Sequence, residues 1–196
     1  MYPVSLNGIN LVLREFETSD LDGAMEVVGD PAVTNSLSFD TRSREQQAER
    51  LAADIERARS VPRPDYYLAA IEKSTGTLVG FARIGLIKSE EGGEVKAGEI
   101  GVAIRKDRWR QGYAMEACSL ILDFAFGALG LHRVQARCAP SNTASQAGLL
   151  RLGFKLEAHL RDDVFTNGAW RDSLQYASLD EDWRNRTSDT HKPFKD

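Results

Sequence analysis

Apolar and polar residues alternate along Ile9-Asn10-Leu11-Val12-Leu13-Arg14-Glu15-Phe16, a two-residue period that predicts a strand with one buried face. The period then changes. Leu21, Ala24, Met25, Val27 and Val28 fall at helical spacing behind Thr18-Ser19-Asp20, which offers an N-cap, and Gly29-Asp30-Pro31 interrupts this helix. From Arg44 to Arg59, Ala48, Leu51, Ala52 and Ile55 recur at helical spacing among many charges, which predicts a solvated surface helix with one thin apolar stripe. Val61-Pro62-Arg63-Pro64 ends it.

Strands return at Tyr66 to Ile71 and at Leu78 to Ile87, joined through Ser74-Thr75-Gly76-Thr77 as an antiparallel hairpin. Lys88 to Gly98, charged and Gly-rich, reads as a loop before a strand from Glu99 to Ile104. A long apolar-periodic segment from Met115 to Phe126 predicts a helix, and Arg133 to Cys138 another strand. Ser141 or Asn142 can cap a helix running through Leu149, Leu150 and Leu152, which Gly153 stops. Phe154 to His159 and Ser173 to Leu179 predict a closing hairpin with Asn167-Gly168 at its tip. The succession is that of an α/β fold of the α+β kind, with one mixed sheet in a single domain over residues 1–184. Residues 185–196 offer nothing to bury and read as a disordered tail.

At 196 residues and 42% hydrophobic content, the chain suffices for one real core and leaves no room for a second full domain. A net charge of −4 excludes general adhesion to nucleic acid or to anionic membrane, so neither is an expected partner. Cys118 and Cys138 are too few and too far apart for a disulfide scaffold or a metal clip, and they read as buried free thiols. No metal site is expected. No apolar run reaches membrane-span length and no signal-peptide layout opens the chain, so the expectation is a cytoplasmic protein.

Against that acidic balance, one basic turn stands out. Arg105-Lys106-Asp107-Arg108-Trp109-Arg110-Gln111-Gly112-Tyr113-Ala114 joins a strand to the start of a helix. The first N–H groups of a helix lack partners within it, point outward together, and carry the positive end of the helix dipole. An anion such as a phosphate would meet those amides there, with Arg105, Lys106, Arg108 and Arg110 close by.

This turn, with the order of elements around it, resembles the GNAT N-acetyltransferase superfamily. Further matches are Leu11-x-Leu13-Arg14, Asp30-Pro31-x-Val33, Glu99-Ile100-Gly101, Asn142-x-x-Ser145 with Gly153-Phe154, and Asn167-Gly168-x-Trp170-x-Asp172. They are similar to the branch that acetylates the N-terminal residues of ribosomal proteins, and they cover about residues 9 to 180. The resemblance implies a central, mostly antiparallel sheet splayed at a coenzyme A site, with helices on both faces. It implies acetyl-CoA as co-substrate, its pyrophosphate on the amides of Trp109, Arg110, Gln111, Gly112, Tyr113 and Ala114. Gly112 would let the backbone approach closely. Arg110 departs from the small residue that the family often has, and would add a charge contact to phosphate. Val102, Ala103 and Ile104 would edge the pantetheine arm, an N–H there facing the thioester oxygen. Asn142 either meets the pantetheine or caps its helix.

The implied reaction is attack of a neutral amine on the thioester through a tetrahedral intermediate, with one proton leaving the amine and one reaching the thiolate. The tyrosine that many relatives use as the acid is Leu149 here. The resemblance to the ribosomal-protein branch implies Ser145 as the replacement acid, with Tyr176 more remote, and Glu99 as the base. The acceptor wall would come from the first helices and the late hairpin, with Asn35 and Asp163 as candidate substrate contacts. Carboxylates at Asp30, Asp162, Asp163 and Asp172 would suit a cationic acceptor. His132, His159, Trp109 and Trp170 read as structural or packing residues. The leading reading is acetylation of a protein or peptide α-amine. The alternatives are a small amine acceptor, such as an antibiotic, a polyamine or an amino-acid metabolite, and a CoA-binding module without turnover. A homodimer is left open.

Overall fold

The computed structural model describes residues 1–88 and 93–189. Its scaffold is an eight-stranded sheet built on the alternation of buried and half-buried residues that the sequence displays. Strand β1 is Ser5–Asn7, β2 Leu11–Glu15, β3 Asp65–Glu72, β4 Leu78–Ile87, β5 Ala97–Ile104, β6 Arg133–Cys138, β7 Lys155–Thr166 and β8 Ala169–Leu179. The spatial order is β1-β2-β3-β4-β5-β6-β8-β7, with every pair antiparallel except β5–β6. Helices cover both faces, as the mixed α/β reading and the family resemblance lead one to expect.

On one face, α1 (Leu21–Val28), the short α2 (Pro31–Thr34) and α3 (Arg44–Arg57) bury Ala24, Val27, Val28, Val33 and Leu51 against Ala69, Phe81 and Ala103. On the other, α4 (Tyr113–Asp123), α5 (Thr143–Arg151) and α6 (Asp180–Asp189) bury Ala117, Ile121, Leu122, Leu149 and Trp183 against Leu11, Leu13, Ile84, Ile100 and Val134. Helices α2 and α3 start on local caps. Pro31 stands at the first position of α2 behind Asp30, whose side chain accepts from the Ala32 N–H. Ser43 and Gln46 form a reciprocal capping box at α3. Asp20 has another task than capping α1: it accepts the Glu17 N–H and both amino groups of Arg14.

Three expectations change. The closing hairpin is longer than predicted, because irregular pairing between Leu160 and Val164, with Asp162 at φ +49°, lets β7 continue to Thr166. The loop after β4 ends before Ala97, and its residues 89–92 lie outside the described ones. The polar stretch from Asn185 begins as helix, since α6 runs to Asp189; residues 190–196 lie outside the described ones. Its anchor is Trp183, buried with its ring 6.1 Å from that of Phe126 and its indole N–H on Asp123 Oδ1 at 2.9 Å, behind a first turn of Asp180, Glu181 and Asp182 that complements the helix dipole.

Candidate active site

The register of β5 creates the central feature. Along one edge β5 pairs with β4 over its whole length, from Ala97↔Ile87 to Ile104↔Gly80. Along the other it pairs with β6 only from Ala97↔Arg133 to Ile100↔Ala136. Beyond that point β6 turns to β8 alone, so Gly101 to Ile104 have no partner strand on that side among the described residues. An unpaired edge is a row of free N–H and C=O groups, able to receive an extended, amide-bearing chain. Gly80 is what brings β4 and β5 together here: a Cβ on it would lie 2.2 Å from the Ala103 carbonyl oxygen.

From that edge the chain enters the basic turn. Lys106–Arg108 form a single 3-10 turn, the Trp109 indole N–H donates to the Ile104 carbonyl at 2.8 Å, and Gln111 Nε2 donates to the Asp107 carbonyl at 3.0 Å. Arg110 (φ +61°) and Gly112 (φ +87°) both take left-handed backbone, which curls the successive amides into a concave cluster. Among the described residues, the N–H groups from Gly112 to Met115 have no acceptor, and the first α4 amide paired across the cap is that of Glu116, on the Gly112 carbonyl. A Cβ at Gly112 would meet nothing within 4 Å, so the space over these amides is open. Tyr113 and Arg108 reach sideways to Glu72, which also accepts from Thr75. The Tyr113 hydrogen bond and then that of Thr75 hold the Glu72 carboxyl below its ordinary range. The basic side chains are less available than their number suggests. Arg105 binds Asp107, and Arg108 binds Asp107 and Glu72, so the anion site is made of amides more than of free charges.

Glu99 sits on β5 just before the splay. Its Oε2 accepts from Gln135 Nε2 (2.9 Å) and from Arg137 Nη2 (2.8 Å) and Nε (3.2 Å), while Oε1 accepts from no described residue. Arg137 also holds Asp163 on β7 at 3.0 Å, so one guanidinium ties two of the candidate residues together across the gap. Sequence reasoning passed over Arg137. Its signal was the alternation Arg133, Gln135, Arg137, which sets three polar side chains on the face opposite Val134 and Ala136.

Asn142 does cap α5: its Oδ1 accepts the Ser145 N–H at 3.0 Å, leaving Nδ2 with no described partner. Ser145, half-buried in the first turn of α5, has an Oγ with no described partner. Tyr176, buried on β8, has its hydroxyl pKa raised by burial, and then by Cys138.

The hairpin tip docks on the segment that follows α2. Arg171 Nη1 donates to the Asn35 carbonyl and Nη2 to the Leu37 carbonyl at 2.6 Å, and the Asn167 N–H reaches Asp40 Oδ1 at 2.8 Å. The carboxylates expected to await a cation are largely committed. Asp30 caps α2, Asp163 is bound by Arg137, and Asp172 accepts from His159 and from the Asp162 N–H. Trp170, expected as a packing residue, is 60% exposed and meets Phe165 edge-on at 5.4 Å. Both thiols are free, Cys138 buried and Cys118 half-buried.

With this geometry in view, comparison with known proteins is decisive. The acetyltransferase (GNAT) domain family matches residues 10–155. "Uncharacterized N-acetyltransferase p20" of Bacillus licheniformis is 29% identical over 169 residues, spanning 86% of this chain and 92% of its own length. The [Ribosomal protein uS5]-alanine N-acetyltransferase of Escherichia coli is 25% identical over 118 residues, 60% of this chain and 59% of that one. The spermidine N-acetyltransferase of Vibrio cholerae, solved with CoA and spermine, shares the fold at a TM-score of 0.76 and 20% identity, over 90% of this chain and 99% of that one. The chain belongs to the GNAT acetyltransferase family. It is an acetyl-CoA-dependent N-acetyltransferase, an enzyme that moves an acetyl group to an amine.

Proposed function

We propose that the acceptor is the α-amine of a protein or peptide N-terminus. The observation that carries this reading is the state of Glu99. One carboxylate oxygen is committed to Arg137 and Gln135, and one is left to take a proton, directly or through water. An α-amine titrates near 8 and a lysine near 10.4, so a neutral lysine costs about 3 kcal/mol more at neutral pH. A site with a single free carboxylate oxygen suits the easier amine.

The chain's own groups fit acetyl-CoA, which supplies the activated acetyl thioester. The concave amides of Arg110, Gln111, Gly112, Tyr113 and Ala114 would hold its pyrophosphate, and Gly112 keeps the approach open, whereas the Trp109 N–H is already taken by the Lys106 carbonyl at 3.2 Å. Arg110, with no acceptor among the described residues, would add a charge. The free edge at Val102, Ala103 and Ile104 would pair with the amide-bearing arm, joined by Asn142 through its remaining Nδ2. Ser145 would return a proton to the departing sulfur and Glu99 would take one from the amine. Asn35 and Asp163 would line the acceptor side beneath the hairpin tip.

The test uses three acceptors with acetyl-CoA: a lysine-free peptide with a free N-terminus, an N-blocked peptide containing lysine, and spermidine. Thiol release with mass localisation of the acetyl group should single out the first. Exclusive turnover of either of the others contradicts the reading, and CoA binding without any thiol release makes the chain a non-catalytic binding module.

A further inference from the structure

The acceptor side of the sheet carries a positive charge that the reaction scheme does not use. Arg83 on β4 lies opposite Gly101 of β5, and Gly85 lies opposite Glu99. Directly opposed residues of an antiparallel pair share a face, so Arg83, Gly85, Glu99, Gly101 and Ala103 all point toward the α1–α3 layer. The Arg83 guanidinium folds along its own strand and lies over Gly85, its Nη2 2.8 Å from where a Cβ there would be. Its Nε donates to Asp65 Oδ2 at 3.1 Å, and neither Nη group has an acceptor among the described residues. Its side chain is 43% exposed. At Gly101 a Cβ would meet nothing within 4 Å, so the floor beside the guanidinium is bare backbone.

The surrounding charges leave this guanidinium unneutralised. Asp65 is shared between Arg83 and Arg57, and Asp54 between Arg57 and Arg50. Arg42 stands by without a carboxylate partner among the described residues, its guanidinium on Gln47 and over the Phe39 ring. Among the described residues, Arg42, Arg50, Arg57 and Arg83 thus have Asp54 and Asp65 as their ion-pairing carboxylates, while Glu99 on the same face is held by Arg137 and Gln135, in a chain whose net charge is −4. The local sign is the opposite of the global one, which is how a protein focuses a field on a substrate group.

Resting on the α-amine reading above, we propose that Arg83 sets acceptor specificity by binding a carboxylate of the acceptor, the side chain of an acidic residue next to the acetylated N-terminus. Geometry favours a side-chain carboxylate one residue on. Arg83 and Glu99 are diagonal neighbours, with Cβ atoms somewhat under about 7–8 Å apart, and the guanidinium leans over Gly85, the residue directly opposite Glu99. One extended residue spans about 3.3–3.6 Å, so an amine at Glu99 and a carboxylate at Arg83 are joined by one residue and a short side chain. A free amino acid with an acidic side chain offers the same chemistry over a shorter span and forms the second arm of the test. A polycation is repelled by the same arginines.

Steady-state kinetics would compare Ser-Glu, Ser-Ala and Ser-Lys N-terminal peptides and free glutamate, on the wild type, Arg83→Gln, Arg83→Lys and Arg83→Glu, with thermal melts as folding controls. The wild type should prefer Ser-Glu over Ser-Ala by about tenfold or more in kcat/KM, expressed in KM. Arg83→Gln should flatten the preference, Arg83→Lys should keep part of it, and Arg83→Glu should turn it toward Ser-Lys. A purely structural role for Arg83 would lower all rates without reversing the order. Equal wild-type turnover of the three peptides overturns this proposal and leaves the α-amine reading standing. Turnover of glutamate with no peptide overturns the protein or peptide N-terminus as the acceptor and keeps the carboxylate contact. No turnover of any acidic acceptor overturns the proposal outright.

Discussion

Glu116, in the first turn of α4, reaches back to the β1–β2 turn and anchors the helix end on which the proposed anion site depends. Its Oε1 accepts the N–H groups of Asn10 (2.7 Å) and Leu11 (2.9 Å), and its Oε2 accepts Asn10 Nδ2 (3.0 Å). Glu116→Ala leaves these donors without an acceptor. Asn10 is exposed, and its two donors return to water at small cost. Leu11 is buried, and an unsatisfied amide there costs about 1–3 kcal/mol. A net loss of about 2 kcal/mol would lower Tm by about 4–8 °C for a chain of this size. Glu116→Gln keeps an acceptor oxygen and should lose about half as much.

The pH dependence has a definite sign. Burial by itself raises the Glu116 pKa, but the hydrogen bonds from Leu11 and Asn10 outweigh it and leave it below the usual value. A depressed folded pKa contributes stability that is present above the unfolded value, about 4.3, and lost as pH falls through the folded one. Urea titrations of the wild type and Glu116→Ala should therefore show a constant gap from pH 7 to about 5 that closes below about pH 4. No gap at pH 7, or a gap unchanged at pH 3, would refute this account of the anchor.

Other consequences follow from the same geometry. Ser145→Ala should lower kcat by about ten- to hundredfold with Tm unchanged, because Oγ has no described partner to lose; an unaltered kcat removes Ser145 from the proton path. Glu99→Gln should lower kcat by about a hundredfold, and an unaltered kcat removes Glu99 from the proton path. Burial pushes the Cys118 thiol up to about 12 and raises that of Cys138, so both should resist a thiol dye in the native protein and react fully in denaturant. Rapid native labelling would contradict that packing. Gly80→Ala should destabilise the chain and disturb the free β5 edge together, since the added methyl meets the Ala103 carbonyl; an unchanged Tm would show that β4 and β5 can move apart freely.

The sequence was most legible where local signals agree. The bounds of β4 follow from a near-continuous apolar run and those of β6 from apolar alternation, and α5 stops at Gly153, whose φ is +83°. It was opaque where an element exists only through its partners. The three residues of β1 are a strand because β2 pairs with them, and α6, polar in composition, is anchored through the buried ring of Trp183 and through Asp180 and Asp182, which meet His132 and Lys155. The splay is a matter of register: nothing in Gly101-Val102-Ala103-Ile104 itself says that β6 departs at Ala136. Likewise Glu99 and its tether Arg137 stand 38 residues apart, and Arg83 meets Gly101 only across a strand pair. Residue types announced the basic turn, whereas tertiary pairing brought Glu99, Arg137 and Asp163 together.

The central claim is that the amides at the start of α4 hold the pyrophosphate of the acetyl donor. Calorimetric titration of CoA into the wild type and Gly112→Glu tests it directly. The substitution costs about 1–2 kcal/mol in left-handed backbone strain and clashes with nothing in the protein, so the variant should remain folded. The account predicts that the wild type binds CoA and that Gly112→Glu, with charge and bulk set over those amides, binds about a hundredfold more weakly or not at all. A folded Gly112→Glu variant that binds CoA as tightly as the wild type would contradict it.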